Sequence, residues 1–132
     1  MTPRDLAVGA TLPPRAYGPV TRTTLALFAG ASGDHNAVHI DVEAARAAGF
    51  DDVFAHGMLS MAYLASYVTD VWPQSTVRRL SARFVARTPV DARPICSGRV
   101  VAGADGQLTV DLEVRLEDGT TTLVGSALVA VR

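Results

Sequence analysis

Residues 32–59, SGDHNAVHIDVEAARAAGFDDVFAHGML, contain all three histidines of the chain. Serine, glycine, aspartate and asparagine cluster at the start of this stretch, which predicts an irregular loop from Ser32 to Ile40. Asp41 is a good N-cap for a short helix over VEAARAA, and Gly49 is a typical helix end. Polar, titratable side chains therefore concentrate between apolar blocks, and this concentration indicates a functional site.

Downstream, residues 57–71 are apolar on nearly every side and predict a buried helix, which Pro73 would end. The remaining sequence predicts four strands, at residues 75–88, 95–104, 107–117 and 121–131. Asp-Gly pairs at 105–106 and 118–119 predict tight hairpins, which join antiparallel neighbours. The expected fold class is α+β, an antiparallel β-sheet wrapped around one long central helix.

Upstream, residues 15–20 are predicted to form a short strand, and Thr21 is predicted to cap a helix from Thr23 to Ala31. In the first long strand, apolar and arginine-rich positions alternate, so the two sets occupy opposite faces of the sheet. The apolar set, which can pack on the central helix, is Leu80, Ala82, Phe84 and Ala86. Because the chain contains no internal repeat or linker, we expect a single domain over residues 1–132.

Composition limits the classes of protein to which the chain can belong. Hydrophobic residues make up 48% and charged residues 19%, and the formal net charge is −1. This balance gives no general attraction to nucleic acid or to an anionic membrane, and the apolar surplus suggests an interface between subunits. The single cysteine, Cys96, lies in a predicted strand, where we expect a small buried side chain.

Three further observations favour a cytoplasmic protein. The N-terminal residues contain no continuous apolar segment of the kind found in secretory signals. The longest apolar run, residues 58–71, includes polar side chains and is shorter than the roughly 20 residues that span a bilayer. A single cysteine is also compatible with a reducing compartment.

Asp34 and His39 form the most informative pair of residues in the predicted loop. A carboxylate and an imidazole can hold one water molecule and exchange protons with it. His56 and Gly57 follow at the start of the predicted central helix, where the first backbone N–H groups have no helical acceptor. Since Gly57 has no side chain, its N–H would be open to an oxygen atom that gains negative charge.

These residues resemble the hydratase-2 signature of MaoC-like proteins. The usual form is S-G-D-x-N-P-I-H-x-D, then A-x-x-x-G-F, then I-A-H-G-M-L, and the matching segments here are residues 32–41, 45–50 and 54–59. The resemblance extends less sharply from about Leu6 to the C-terminus. Among the departures from the pattern, Ala37 replaces the usual proline, and Ala65 stands where some members have a supporting serine.

The resemblance implies a hotdog fold and a hydratase or dehydratase that interconverts trans-2-enoyl and (3R)-3-hydroxyacyl thioesters. By motif position, Asp34 and His39 would activate water and transfer the proton, and the Gly57 N–H would polarise the thioester carbonyl. Asn36 would shape the loop, and His56 would shape the turn before the helix. The resemblance also implies no metal or redox cofactor, an acyl-CoA or acyl-ACP (acyl carrier protein) substrate, and a homodimer or a heterodimer with another hotdog subunit.

Three alternatives remain open from the residues alone. His35 and His39 could ligate a metal with a neighbouring aspartate, although an irregular loop argues against regular ligand spacing. A hotdog acyl-CoA thioesterase would place a carboxylate on or beside the central helix, which has none before Asp70. A subunit of a heterodimeric dehydratase could contribute structure rather than chemistry, but the intact motif residues favour a catalytic chain.

Four arginines on or after the first long strand form a candidate anion-binding surface: Arg78, Arg79, Arg83 and Arg87. A surface of this kind can bind the phosphates of coenzyme A or an acidic carrier protein. A solvated sheet face explains the same residues equally well. The sequence therefore leaves both interpretations open.

Overall fold

A computed structural model describes residues 6–131 of the chain, so the ends of the predicted domain, residues 1–5 and 132, lie outside the described part. Helix α1 spans Arg22–Ser32, α2 spans Val42–Ala47 and α3 spans Gly57–Val71. The strands are β1 Thr11–Ala16, β2 Val77–Phe84, β3 Ile95–Ala104, β4 Gln107–Arg115 and β5 Thr121–Ala130. Short 3₁₀ turns lie at Ala37–His39 and Gln74–Thr76.

The five strands form one antiparallel sheet in the order β1-β3-β4-β5-β2. Asp105 and Gly106 have φ angles of 56° and 74° in the β3–β4 turn, as the predicted Asp-Gly hairpin requires. Strands β1 and β2 are the two edges. Pro13 and Pro14 lie in β1 and lack the N–H that pairing needs, whereas β2 contains no proline.

Helix α3 packs across the sheet and supplies the centre of the main core. Leu64, Tyr67, Val68 and Trp72 lie in one buried cluster with side chains from the strands. Burial of each large apolar side chain contributes roughly 1.5–3 kcal/mol, so this cluster is the main source of stability. The sheet wrapped around α3 confirms the predicted α+β class.

A second, smaller apolar cluster lies beneath the segment that carries the signature. It joins α1, α2 and the start of α3 through Val20, Leu25, Ala45, Val53, Ala55 and Leu59. The predicted caps are present: Thr21 Oγ1 accepts a hydrogen bond from the Thr24 N–H at 3.1 Å, and Asp41 Oδ1 accepts one from the Glu43 N–H at 3.0 Å. The loop between α1 and α2 therefore lies on this second apolar cluster.

Two predicted strands have boundaries that are wrong by more than two residues. The first strand is Thr11–Ala16 rather than residues 15–20, because an edge strand with a shift in register after Leu12 tolerates two prolines. Strand β2 ends at Phe84 rather than at residue 88. Beyond it, the Val85 and Ala86 N–H groups both donate to the Thr122 carbonyl oxygen, at 2.9 and 3.3 Å, so regular pairing stops there.

Two large apolar side chains that the sequence predicted to be buried are exposed. Met58 on α3 is 57% exposed, because the sheet covers only one side of the helix. Phe84 is 48% exposed, although it was expected on the face that packs against the helix. In contrast, Cys96 is buried as predicted, and burial raises the pKa of its thiol to about 12.

Among the helices within residues 6–131, none combines the length and the apolar character needed to cross a lipid bilayer.

Candidate active site

Asp34 lies in the loop that follows α1. Gly33 ends that helix with a φ of 79°, a left-handed conformation that favours glycine. The Asn36 N–H donates to Asp34 Oδ1 at 3.2 Å, and the Val38 N–H donates to Asn36 Oδ1 at 3.3 Å. These two bonds define the shape of the loop and occupy one carboxylate oxygen of Asp34, leaving Oδ2 for a second contact.

His39 lies in the 3₁₀ turn and is only 8% exposed. Its Nδ1 is 2.8 Å from the Phe54 carbonyl oxygen. Because a carbonyl oxygen can only accept a hydrogen bond, Nδ1 carries the proton of the neutral ring and Nε2 carries the lone pair. Nε2 faces Asp34 Oδ2 across 3.9 Å, a separation at which one water molecule can hydrogen-bond to both atoms.

His56 lies directly before α3 and contacts both members of this pair. Its ring stacks on the His39 ring, with centroids 3.9 Å apart and an interplanar angle of 26°. Its Nε2 lies 3.1 Å from the Asp34 backbone oxygen, to which it donates. The sequence predicted only a turn-shaping role for His56, because the contact with Asp34 spans 22 residues of chain.

The N-terminus of α3 differs from those of the other two helices. Thr21 and Asp41 cap α1 and α2 with side-chain hydrogen bonds, whereas His56, at the same position of α3, makes none. The first N–H groups of α3, beginning at Gly57, therefore have no side-chain cap and lie at the positive end of the helix dipole. This is the arrangement that binds an oxygen with negative charge.

A cavity of about 310 Å³ opens beside Gly57. It is lined by Phe54, Ala55, Gly57, Ser60, Phe84, Val85, Ala86, Arg87, Thr88 and Thr122. Asp34 and His39 do not line this cavity, but the ring of Phe54 does, and it meets the His39 ring edge-on at 5.0 Å. A larger depression of about 800 Å³ lies across the sheet; Arg83 is among its lining residues, but none of the predicted catalytic residues is.

Two hydroxyl groups in this cavity were missed in the sequence. Ser60 Oγ and Thr88 Oγ1 are buried and 3.3 Å apart. Ser60 lies one helical turn after Gly57, so its spacing on the helix could have indicated it. Thr88 lies 28 residues away, in the irregular segment after β2, and has no local pattern that points to the site.

The histidines do not form the predicted metal alternative. His35 is exposed and lies outside the one group of potential ligands within residues 6–131, which is Asp34, His39 and His56, with ligand atoms within 4.8 Å of one another. The His56 Nε2 already donates to the Asp34 carbonyl, and the His39 Nδ1 donates to Phe54. Of the groups that remain, Asp34 Oδ2 and His39 Nε2 face each other and are better suited to holding water than to completing a metal site, whereas His56 Nδ1 is buried without a hydrogen-bond partner among the described residues.

Asp70, the carboxylate that a thioesterase might have used, lies at the opposite end of α3. It forms an ion pair with Arg15 of β1. Asp70 does not line the cavity beside Gly57. The structure therefore offers no support for the thioesterase alternative.

The four arginines occupy different environments. Arg78 donates to the Ser75 carbonyl oxygen at 2.7 Å, and the Arg87 guanidinium lies 4.4 Å from the centroid of the Phe50 ring. The other two are exposed on β2. Phosphate binding by this set stays a prediction.

A sheet wrapped around a helix defines a hotdog protein, and the facing carboxylate and imidazole form a candidate acid–base site in it. The family model described as "MaoC like domain" matches residues 5–118. The chain therefore belongs to the MaoC-like family, as its signature predicted.

Curated relatives of the chain include two dehydratases from Mycobacterium tuberculosis. It is 35% identical over 94 residues to 3-hydroxyacyl-thioester dehydratase X, covering 71% of this chain and 32% of that protein. It is 30% identical over 109 residues to 3-hydroxyacyl-thioester dehydratase Z, covering 74% of this chain and 72% of that protein. The chain thus spans about a third of the length of the first relative and most of the second.

Solved structures give the same fold. R-hydratase PhaJ1 from Pseudomonas aeruginosa superposes with a TM-score of 0.88 at 24% identity, covering 98% of this chain and 84% of that one. A chain of the ChsH1–ChsH2 complex from M. tuberculosis superposes with a TM-score of 0.85 at 27% identity, covering 96% and 98%. These likenesses confirm the predicted hotdog fold.

Proposed function

We propose that the chain adds water reversibly to a trans-2-enoyl thioester to give the (3R)-3-hydroxyacyl thioester. The observation that carries the proposal is the 3.9 Å approach of His39 Nε2 to Asp34 Oδ2, beside the uncapped start of α3. The family membership supports it, since the related proteins are named as 3-hydroxyacyl-thioester dehydratases and an R-hydratase. The (3R) configuration rests on that likeness.

In the proposed reaction, a water molecule binds between Asp34 and His39. The lone pair of His39 Nε2 accepts a proton as the water oxygen bonds to C3, and the displaced electron pair moves to the thioester oxygen. The Asp34–His39 pair then delivers a proton to C2, so that one water is added and both side chains return to their starting states. General acid–base catalysis of this kind contributes typically 10²–10⁴-fold in rate.

The Gly57 N–H is the proposed donor to the thioester oxygen. One such donor contributes about 2.7–4 kcal/mol to transition-state stability when it is fixed in place. Since water is the only co-reactant, the reaction balances without a redox cofactor or a metal.

We further propose that residues 1–132 form one hotdog domain that works with a second hotdog subunit, as a homodimer or a heterodimer. The edge of β2 is free of proline, and Met58, Phe84 and Val85 are large exposed apolar side chains at or beside the cavity. Such exposed apolar surface commonly marks an interface. A two-protein complex among the structural neighbours supports this proposal. The proposed acyl-CoA or acyl-ACP substrate also supports our proposal of a cytoplasmic protein.

The test is hydration of crotonyl-CoA by the purified full chain, with chiral analysis of the product. Asp34→Asn and His39→Gln should each lower kcat by roughly 10²–10⁴-fold, because each removes a partner of the bound water. His35→Gln is the matched control, since this neighbouring imidazole is exposed and outside the cluster. If correctly folded Asp34→Asn and His39→Gln variants keep full activity, or if the main product is free thiol, the proposed function is wrong.

A further inference from the structure

His56 is a buried imidazole that the proposed reaction does not itself use. The side chain is 1% exposed and lies between the ring of His39, 3.9 Å away, and the ring of Phe28, 4.9 Å away. Its Nε2 donates to the Asp34 carbonyl oxygen at 3.1 Å. His56 also immediately precedes Gly57, so one residue contacts the acid, the base and the start of α3.

Only one of the two ring nitrogens of His56, Nε2, has a hydrogen-bond partner in the described part of the chain. Its Nδ1 is buried and has no hydrogen-bond partner in the described part of the chain. A buried polar atom without a partner costs about 1–3 kcal/mol, whereas an apolar ring of the same shape would fill the space without that penalty. Packing alone therefore does not account for a histidine here, and the single hydrogen bond to Asp34 is the property that an apolar ring lacks.

That bond acts on the geometry of the reacting pair. Three hydrogen bonds hold Asp34: its own N–H donates to Ser32 Oγ, the Asn36 N–H donates to Oδ1, and His56 donates to the backbone oxygen. Together they fix both ends of the residue and direct Oδ2 toward His39 Nε2. The stacked ring of His56 also limits the tilt of His39, whose other nitrogen is fixed by Phe54.

We infer that His56 is a positioning residue that holds Asp34 and His39 at their reacting separation. The inference rests on the proposed function. A displacement of about 1 Å at a reacting group can reduce the rate roughly 10²-fold, so the loss of this bond should be visible in kcat. His56 touches neither water nor substrate in this role, and KM should change little.

Three substitutions separate the hydrogen bond from the packing. His56→Gln places an amide N–H₂ at about the position of Nε2 and keeps the donor. His56→Asn places its amide at the level of Nδ1, too short to reach the Asp34 oxygen. His56→Phe keeps a stacking ring and removes the donor. We expect kcat to fall about 10- to 100-fold in the Asn and Phe variants, to stay within about threefold in His56→Gln, and KM to stay within about twofold in all three.

Rescue by glutamine is the decisive result, because a merely structural role would not favour Gln over Phe in a buried site. A folded His56→Phe variant with wild-type kcat would overturn the inference, and so would equal losses in the Gln and Phe variants. Crystal structures of the variants measure the separation of Asp34 Oδ2 and His39 Nε2 without reference to activity. That separation should change in the Asn and Phe variants and be kept in His56→Gln. An unchanged separation in all three also overturns the inference.

If the wild-type chain hydrates no enoyl thioester, the proposed function fails by itself, and the crystal structures of the variants still test whether His56 positions Asp34 and His39.

Discussion

The two ends of α3 have opposite compositions and different tasks. At the N-terminal end, the buried side chains include the polar His56 and Ser60, and the first turn has no side-chain cap. From the middle of the helix to its C-terminal end, Leu64, Val68 and Trp72 lie in the main apolar core. The helix therefore gains its stability at one end and presents polar groups and free N–H groups at the other.

This division explains how the chain retains an energetically costly site. A buried ring nitrogen without a partner and an uncapped helix start each reduce stability by about 1 kcal/mol or more. The apolar cluster under the sheet offsets these losses at a distance from the chemistry. Substitutions at the two ends should therefore have separable effects on stability and on activity.

The largest expected effect is on stability, from Leu64→Ala at the core end of α3. Removing this fully buried side chain should reduce the free energy of unfolding by roughly 2–5 kcal/mol, since it leaves a cavity among the strands. Urea denaturation measures the loss, and kcat per folded molecule should stay near the wild-type value. Leu27→Ala is the matched control, because the same truncation at a position 70% exposed should change stability by no more than about 0.5 kcal/mol. A large fall in kcat for the folded Leu64→Ala protein would break the proposed division.

A smaller effect, on activity, is expected from Gly57→Ala at the site end. A Cβ at this position would lie 3.2 and 3.3 Å from two ring atoms of Phe84, so the ring must shift and the methyl group would occupy the cavity wall beside the proposed N–H donor. We expect kcat/KM for crotonyl-CoA to fall about tenfold, equivalent to about 1.4 kcal/mol.

The control for that substitution is Gly30→Ala in α1, where an added Cβ meets no atom within 4 Å. Alanine is the better helix former, so this variant should gain about 0.5–1 kcal/mol of stability and keep full activity. Equal kcat/KM values in the Gly57→Ala and wild-type proteins would show that the N–H of Gly57 is not approached closely by the substrate.

The smallest expected effect is on the reactivity of the buried Cys96 thiol, which lies in the main apolar core. Burial raises the pKa of the Cys96 thiol to about 12 from its ordinary value of 9.0. The folded state therefore favours the protonated thiol; this contribution to stability is complete below pH 9 and is lost as the pH rises toward 12. A thiol reagent at pH 8 should label the folded protein far more slowly than the urea-unfolded chain, and Leu64→Ala should increase the labelling rate. Rapid labelling of the folded wild type would contradict the tight packing of this cluster.

Much of the fold could be predicted because its signals are local. Strand β3 has the predicted bounds, α3 begins and ends where the sequence placed it, and Thr21 and Asp41 cap the helices that follow them. Each of these depends on side chains that interact within a few residues of one another. The errors at β1 and β2 arose where pairing with a distant strand decided which residues continue in regular structure.

For the candidate site, the sequence by itself determined the candidate residues: the signature pointed to Asp34, His39 and Gly57, and to Asn36 in the loop. Only the tertiary structure decided which nitrogen of His39 carries the proton and which distant residue holds Asp34 in place. The Phe54 carbonyl, 15 residues from His39, assigns the proton of that ring, and His56 reaches back 22 residues to hold Asp34. Such contacts have no periodic or local pattern, because they form only when the apolar clusters bring distant segments of the chain together.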